Sequence, residues 1–171
     1  LLAFLSSGDH ILLQKDIYGG TRNLVEVQFD RYNIDYTFTD DINLKDFKSA
    51  IKKNTKVIYI ETPSNPLLKI IDIEKIAEFA KSKNIITIID NTFATPIIQK
   101  PILFGVDIVL HSATKYFGGH SDISAGAVAA SQAHIDKIWN LAKNLGGNLS
   151  DYSVWLLERS MKTLSIRVKA Q

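Results

Sequence analysis

The chain has 171 residues, 46% of them hydrophobic, with 20 Lys and Arg against 18 Asp and Glu and a formal net charge of +2. That length supports one sizeable core, and a near-neutral, scattered charge gives no footprint for nucleic acid or an anionic membrane surface. Cysteine is absent, which removes any disulfide framework, thiolate metal site or thiol nucleophile, and no apolar run approaches the ~20 residues that span a bilayer.

Leu1–Leu5 is apolar, but it is too short for a secretory signal and runs straight into a Ser-Ser-Gly-Asp turn. His10–Gln14 is a short apolar run, Thr21–Phe29 reads as a helix and Ile34–Phe38 as a strand. Asn43 is placed to cap a helix running through Lys53. Lys56–Ile60 reads as a strand ending at Glu61, and Asp72 as the cap of a helix whose Ile73, Ile76, Ala77 and Ala80 share a face. Ile85–Ile89 is the most continuous apolar strand and stops at Asp90. A short helix near Ile98–Phe104, strands at Val106–Leu110 and Gly126–Ala130, and helices at His134–Leu145 and Asp151–Lys169 complete the series.

Strands alternating with helices imply crossover connections, hence an α/β fold with a mostly parallel sheet sandwiched by helices. Gly146-Gly147 marks the one boundary, dividing residues 1–147 from a helix at 148–171. The only methionine is Met161, and a helical pattern runs to the last residue. The expectation is therefore an internal piece of a larger, soluble, cytoplasmic protein, incomplete at both ends.

Ligands of such sheets bind beyond the carboxyl ends of the strands, and Glu61, Asn65, Asp90 and Ser112 through Lys115 all follow such ends. In His111-Ser112-Ala113-Thr114-Lys115-Tyr116, the Lys115 amine could condense with the aldehyde of pyridoxal phosphate (PLP) while the Ser112 and Thr114 hydroxyls take its phosphate. A solvated lysine is the alternative. The Asp90 carboxylate is costly to bury unpaired and suits a pyridinium nitrogen. A helix cap or a Mg²⁺ ligand is the other reading, the metal being disfavoured because no second ligand stands at ligand spacing. Tyr18, before Gly19-Gly20, could lie on an aromatic cofactor or be a structural turn residue. Thr21 and Arg22 suit a phosphate, a carboxylate or solvent. Glu61 and Asn65 flank a proline-stiffened loop, and either could bond the cofactor's phenolic oxygen or the amino-acid head of a substrate. His111 and His120 match no helix-based metal pair and are read as structural or loop residues, and Trp139 and Trp155 as core or interface. Dinucleotide, P-loop and nucleophile-elbow signatures are missing.

Tyr18-Gly19-Gly20-Thr21, Glu61-Thr62-Pro63-Ser64-Asn65-Pro66, Asp90-Asn91-Thr92-Phe93-Ala94-Thr95-Pro96 and Ser112-Ala113-Thr114-Lys115-Tyr116, followed by Gly118-Gly119-His120-Ser121-Asp122, form an ordered series. This series closely resembles the PLP enzymes of Cys/Met metabolism: cystathionine γ-synthase, cystathionine γ- and β-lyases, methionine γ-lyase and the homoserine-ester sulfhydrylases. The resemblance runs from Gly8 to the end and includes Arg159-Ser160-Met161-Lys162-Thr163-Leu164.

The resemblance implies the large domain of PLP fold type I (aspartate-aminotransferase-like), leading to a small C-terminal domain. It implies Lys115 as covalent anchor and proton shuttle, Asp90 on the pyridine nitrogen, Tyr18 stacked on the ring, and Ser112 and Thr114 on the phosphate. Asn65 would sit near the phenolic oxygen and Glu61 close to the substrate. The implied activity is γ-elimination or γ-replacement on a small amino-acid substrate of sulfur metabolism, in a homo-oligomer (a dimer of dimers) with sites between subunits. Neither nucleic acid nor membrane is an implied partner. A β-eliminating C–S lyase and a catalytically incomplete segment with an assembly role are the alternatives. The family's glycine-containing phosphate loop, and a tyrosine and arginine lent by a neighbouring subunit, would precede Leu1. The arginine that grips the substrate carboxylate would follow Gln171. Arg22 stands one place earlier than the arginine some members carry, so no role passes to it. Gly20 replaces the cysteine of many methionine γ-lyases, which argues against that activity.

Overall fold

A computed structural model describes residues 1–39 and 42–171. The strands are β1 (His10–Gln14), β2 (Asp35–Thr39), β3 (Thr55–Glu61), β4 (Ile86–Asp90), β5 (Ile108–Ser112) and β6 (Gly126–Ala130). The helices are α1 (Gly19–Gln28), α2 (Leu44–Ala50), α3 (Ile73–Ser82), α4 (Thr95–Ile98), α5 (Gln132–Leu145), α6 (Asp151–Met161) and α7 (Leu164–Ala170). The sheet order is β2-β1-β3-β4-β5-β6, parallel throughout except for β6, which runs antiparallel to β5.

Alternate residues of the same strands feed two cores, which is why the strands read as continuous apolar runs. Leu12, Ile58, Ile60, Ile89 and Val109 pack with Phe47 of α2 and Ile73, Ile76, Ala77 and Ala80 of α3. On the opposite face, Ile11, Leu13, Val57, Tyr59, Ile88 and Ile108 pack with Val25 of α1 and with Phe29. Each such buried side chain contributes about 1.5–3 kcal/mol, so the strand centres form the stable frame and their ends are free to carry polar groups. Asp72 caps α3 as expected, its Oδ1 accepting the Lys75 N–H at 3.1 Å.

Three elements depart from the sequence expectation. Helix α2 stops at Ala50 rather than Lys53, because Ile51 turns extended (ψ 139°) and Thr55 Oγ1 takes the Lys52 N–H at 2.8 Å. The helix expected near 98–104 is instead α4 followed by a 3₁₀ turn at Pro101–Phe104, since Pro101 lacks an N–H and pushes Lys100 out of helical geometry. The final helix breaks after Met161, where the Thr163 hydroxyl bonds the Ser160 carbonyl at 3.1 Å and a separate α7 begins. Trp139 and Trp155 are 56% and 54% exposed, so neither packs in a core formed by the described residues. No helix among the described residues is long and apolar enough to cross a membrane.

His10 is fully buried at the start of β1, with Nδ1 2.8 Å from Thr55 Oγ1 and Nε2 3.0 Å from Thr37 Oγ1. Burial, helped by the Lys52 ammonium and resisted by Asp35, pushes its pKa from 6.5 down to about 4. The folded state therefore prefers neutral His10. The linked stability is complete above pH 6.5 and is lost as pH falls towards 4, by about 3 kcal/mol. Urea titrations of wild type and His10→Gln should converge over that window, and a difference independent of pH would contradict the assignment.

Candidate active site

The carboxyl ends of β3, β4 and β5 lie level. Glu61 registers with Asp90, and Asp90 with Leu110, two residues before Ser112. The edge of a parallel sheet is where its ligands bind, so the three expected strand-end groups share one rim.

The chain turns tightly after β5. Ser112 donates its N–H to Thr92 Oγ1 at 2.7 Å, and the Lys115 N–H returns to the Ser112 carbonyl at 3.0 Å. Gly118 donates to the Ala113 carbonyl at 2.8 Å and Gly119 to the Lys115 carbonyl at 2.7 Å. The Lys115 side chain is exposed, with no hydrogen bond or ion pair among the described residues. The Thr114 hydroxyl is already engaged, accepting the Ala125 N–H at 2.9 Å and donating to the Ala125 carbonyl at 3.2 Å. Among the described residues, the Ser112 hydroxyl has no such partner.

Asp90 is partly buried, and its Oδ1 accepts the Thr92 N–H at 2.9 Å. Among the described residues it pairs with no cation. Glu61 is buried and works as a clasp. Its Oε2 accepts the Tyr18 N–H at 2.7 Å, its Oε1 accepts the Asn65 N–H at 2.9 Å, and its own N–H donates to Gln14 Oε1 at 3.0 Å. Burial pushes the Glu61 carboxyl up to about 6 against the pull of those two N–H groups, with Asp90 adding to the rise. Tyr59, buried beside them, has its phenol driven above the ordinary range by burial and by the Asp90 and Glu61 charges.

Tyr18 is the exposed N-cap of α1. A Cβ on Gly20 would come within 2.5 Å of Tyr18 Cε1, so this ring position requires glycine there. Arg22 bonds the Lys15 carbonyl at 3.1 Å and Glu26 at 2.8 Å and covers the Phe38 ring at 4.4 Å. His111 is buried and stacks on Phe117 at 4.6 Å, and His120 Nδ1 lies 2.8 Å from the Gly118 carbonyl, so both histidines are structural.

The sequence reading missed Arg167 of α7. Its guanidinium donates to the carbonyls of Tyr116 (2.6 Å), Phe117 (3.3 Å) and Ser160 (3.0 Å) and to Thr163 Oγ1 (3.0 Å). The one available signal was the Gly118-Gly119 pair. Gly119 has φ +76°, and a Cβ there would lie 2.2 Å from Arg167 Nη1.

Among the described residues, a carboxylate without a cation, an unpaired amine, an uncommitted hydroxyl and an exposed phenol ring fit a phosphorylated pyridine aldehyde. The fold and this donor set define a PLP-binding α/β domain. Residues 1–171 match the family model of the Cys/Met metabolism PLP-dependent enzymes, and the chain belongs to that family. It is 48% identical over 171 residues to a cystathionine beta-lyase of Lactococcus lactis, covering 99% of this chain and 45% of that protein. It is 40% identical over 170 residues to a cystathionine gamma-synthase of Mycobacterium leprae, covering 99% of this chain and 44% of that protein. The crystal structure of cystathionine gamma-lyase from Lactobacillus plantarum complexed with L-serine superposes with a TM-score of 0.92 at 46% identity, covering 95% of this chain and 43% of that one. The chain thus spans less than half the length of the relatives it matches.

Proposed function

We propose that this chain carries the cofactor site of an enzyme that eliminates or replaces the γ-substituent of a sulfur-containing amino acid. The supporting observation is the unpaired Lys115 amine on the same sheet rim as Asp90, a carboxylate with no protein cation. Bound PLP supplies an electron sink for cleavage of a bond at the substrate's α-carbon. Asp90, oriented by the Thr92 N–H, would hold the ring nitrogen protonated. Tyr18 would cover a face of the ring, and Asn65 would serve the phenolic oxygen. Ser112 would give its hydroxyl to the phosphate, and Thr114 would join it only by turning its O–H away from Ala125. Glu61 serves the site by tying down the backbones of Tyr18 and Asn65, close to where substrate enters.

Lys115 would anchor the cofactor, and its amine when free would take the substrate's α-proton. Loss of a γ-substituent requires a second proton from the β-carbon. An amine on a flexible stem with no protein partner can reach both positions, which supports the γ reading. The second reading is β-elimination, favoured by 48% identity to the Lactococcus beta-lyase.

Products from cystathionine separate them. We expect 2-oxobutanoate, or consumption of an activated homoserine ester with cysteine if replacement dominates, and pyruvate would establish β-elimination instead. PLP binding with no turnover of either substrate would leave the assembly role. The exposed Ile98 (73%) and Leu103 (77%) support a homo-oligomer, which we read as a dimer of dimers with sites between subunits, in which residues 148–171 lead to a small domain. Light scattering on the same preparation would overturn that assembly if it returned the mass of a single chain.

A further inference from the structure

We infer that Arg167 is a positioning residue for Lys115, stapling the backbone just beyond the lysine to the α6–α7 junction. The inference rests on the reading of Lys115 as the cofactor anchor. Two of the guanidinium's acceptors, the carbonyls of Tyr116 and Phe117, belong to the residues that directly follow Lys115. Its other two partners, the Ser160 carbonyl and Thr163 Oγ1, belong to the break between α6 and α7. Among the described residues, no other donor reaches the Tyr116 or Phe117 carbonyl. These groups are far apart in sequence, and only a planar fork with several N–H donors joins them at once, a geometry lysine cannot supply.

The loop is shaped to receive this fork. Gly119 has left-handed backbone geometry and lies so close that a single methyl group would strike the guanidinium. Phe117 also packs against the small cluster of Ala113, Ile123 and Leu157, so α6 supports the same loop through apolar contact. Lys115 sits between two fixed points. On one side its N–H is held by Ser112 at the end of β5, and on the other the next two carbonyls are held by Arg167. Arg167 contacts no strand-end site group itself. Its effect on the amine is through the backbone.

The test uses Arg167→Lys and Gly119→Ala in the PLP-loaded protein and in the same protein stripped of cofactor. Arg167→Lys keeps the charge and loses the fork, whereas Gly119→Ala keeps arginine and displaces it. Without cofactor, both variants should speed hydrogen exchange at the amides of Lys115, Gly118 and Gly119 by about tenfold and leave β3 and β4 unchanged. With cofactor, kcat should fall by about tenfold while KM stays within roughly threefold. The double variant should be no worse than either single one, because both changes break the same contact. Unchanged exchange at 115–119, exchange raised across β3 and β4 as well, full activity in Arg167→Lys, or additive losses in the double variant would each overturn the inference. The exchange measurement needs no cofactor, so a wrong assignment of Lys115 would show separately, as a reduced adduct mapped to another residue.

Discussion

Replacing Lys115 by alanine is expected to abolish the borohydride-reducible PLP adduct and to lower turnover by about 10³- to 10⁴-fold, while folding is unaffected. The separation follows from where the residue's interactions lie. Its backbone N–H and carbonyl hold the turn together, through Ser112 and Gly119, and alanine keeps both bonds. Its side chain is exposed and bonds to nothing among the described residues, so truncating it should change stability by no more than about 0.5 kcal/mol. The measurement is reduction of the PLP-loaded protein followed by peptide mapping, with thermal melts of both forms alongside. An adduct that survives in Lys115→Ala, or turnover within tenfold of wild type, would remove Lys115 from the site.

The rim was readable because its residues interrupt apolar strands. Glu61, Asp90 and Ser112 stand where hydrophobic runs stop, and the geometry of parallel sheets makes such stops neighbours in space. What those side chains touch was not readable. Glu61 bonds the N–H of Tyr18, 43 residues away, and that pairing depends on how β1 and β3 register. The sequence reading set Glu61 close to substrate, and in the fold both its oxygens are committed to backbone. The antiparallel direction of β6 was also hidden. An apolar run such as Gly126–Ala130 carries no sign of direction, although the lack of a helix between Ser112 and Gly126 permits the chain to return beside β5. Helical periodicity misled in one place, running through the Thr163 break just after α6. Arg167 escaped because its partners are backbone carbonyls, which leave no trace in residue identity.

Asp90→Asn is expected to move stability and activity in opposite directions. Asparagine retains the Oδ1 that accepts the Thr92 N–H, so the local backbone bond survives. The change removes a negative charge from beside Glu61. Asp90 faces Glu61 and Tyr59, raises the pKa of both, and has no cation of its own among the described residues. Without PLP, the variant should melt at or above the wild-type temperature, and Glu61 should titrate below its wild-type value of about 6. Glu61 has a folded pKa above its unfolded one, so its ionisation disfavours folding as pH rises through about 6. Relief of the Asp90 charge should therefore stabilise the variant most above that pH. With PLP the balance reverses, since on the proposed function Asp90 is the anionic partner of the ring nitrogen. Breaking a desolvated pair of this kind costs about 3–5 kcal/mol, or roughly 10²- to 10⁴-fold in turnover. A cofactor-free variant destabilised by more than about 2 kcal/mol would make Asp90 a structural residue, because only a group the fold depends on is lost at that scale. Unchanged turnover would place the ring nitrogen elsewhere.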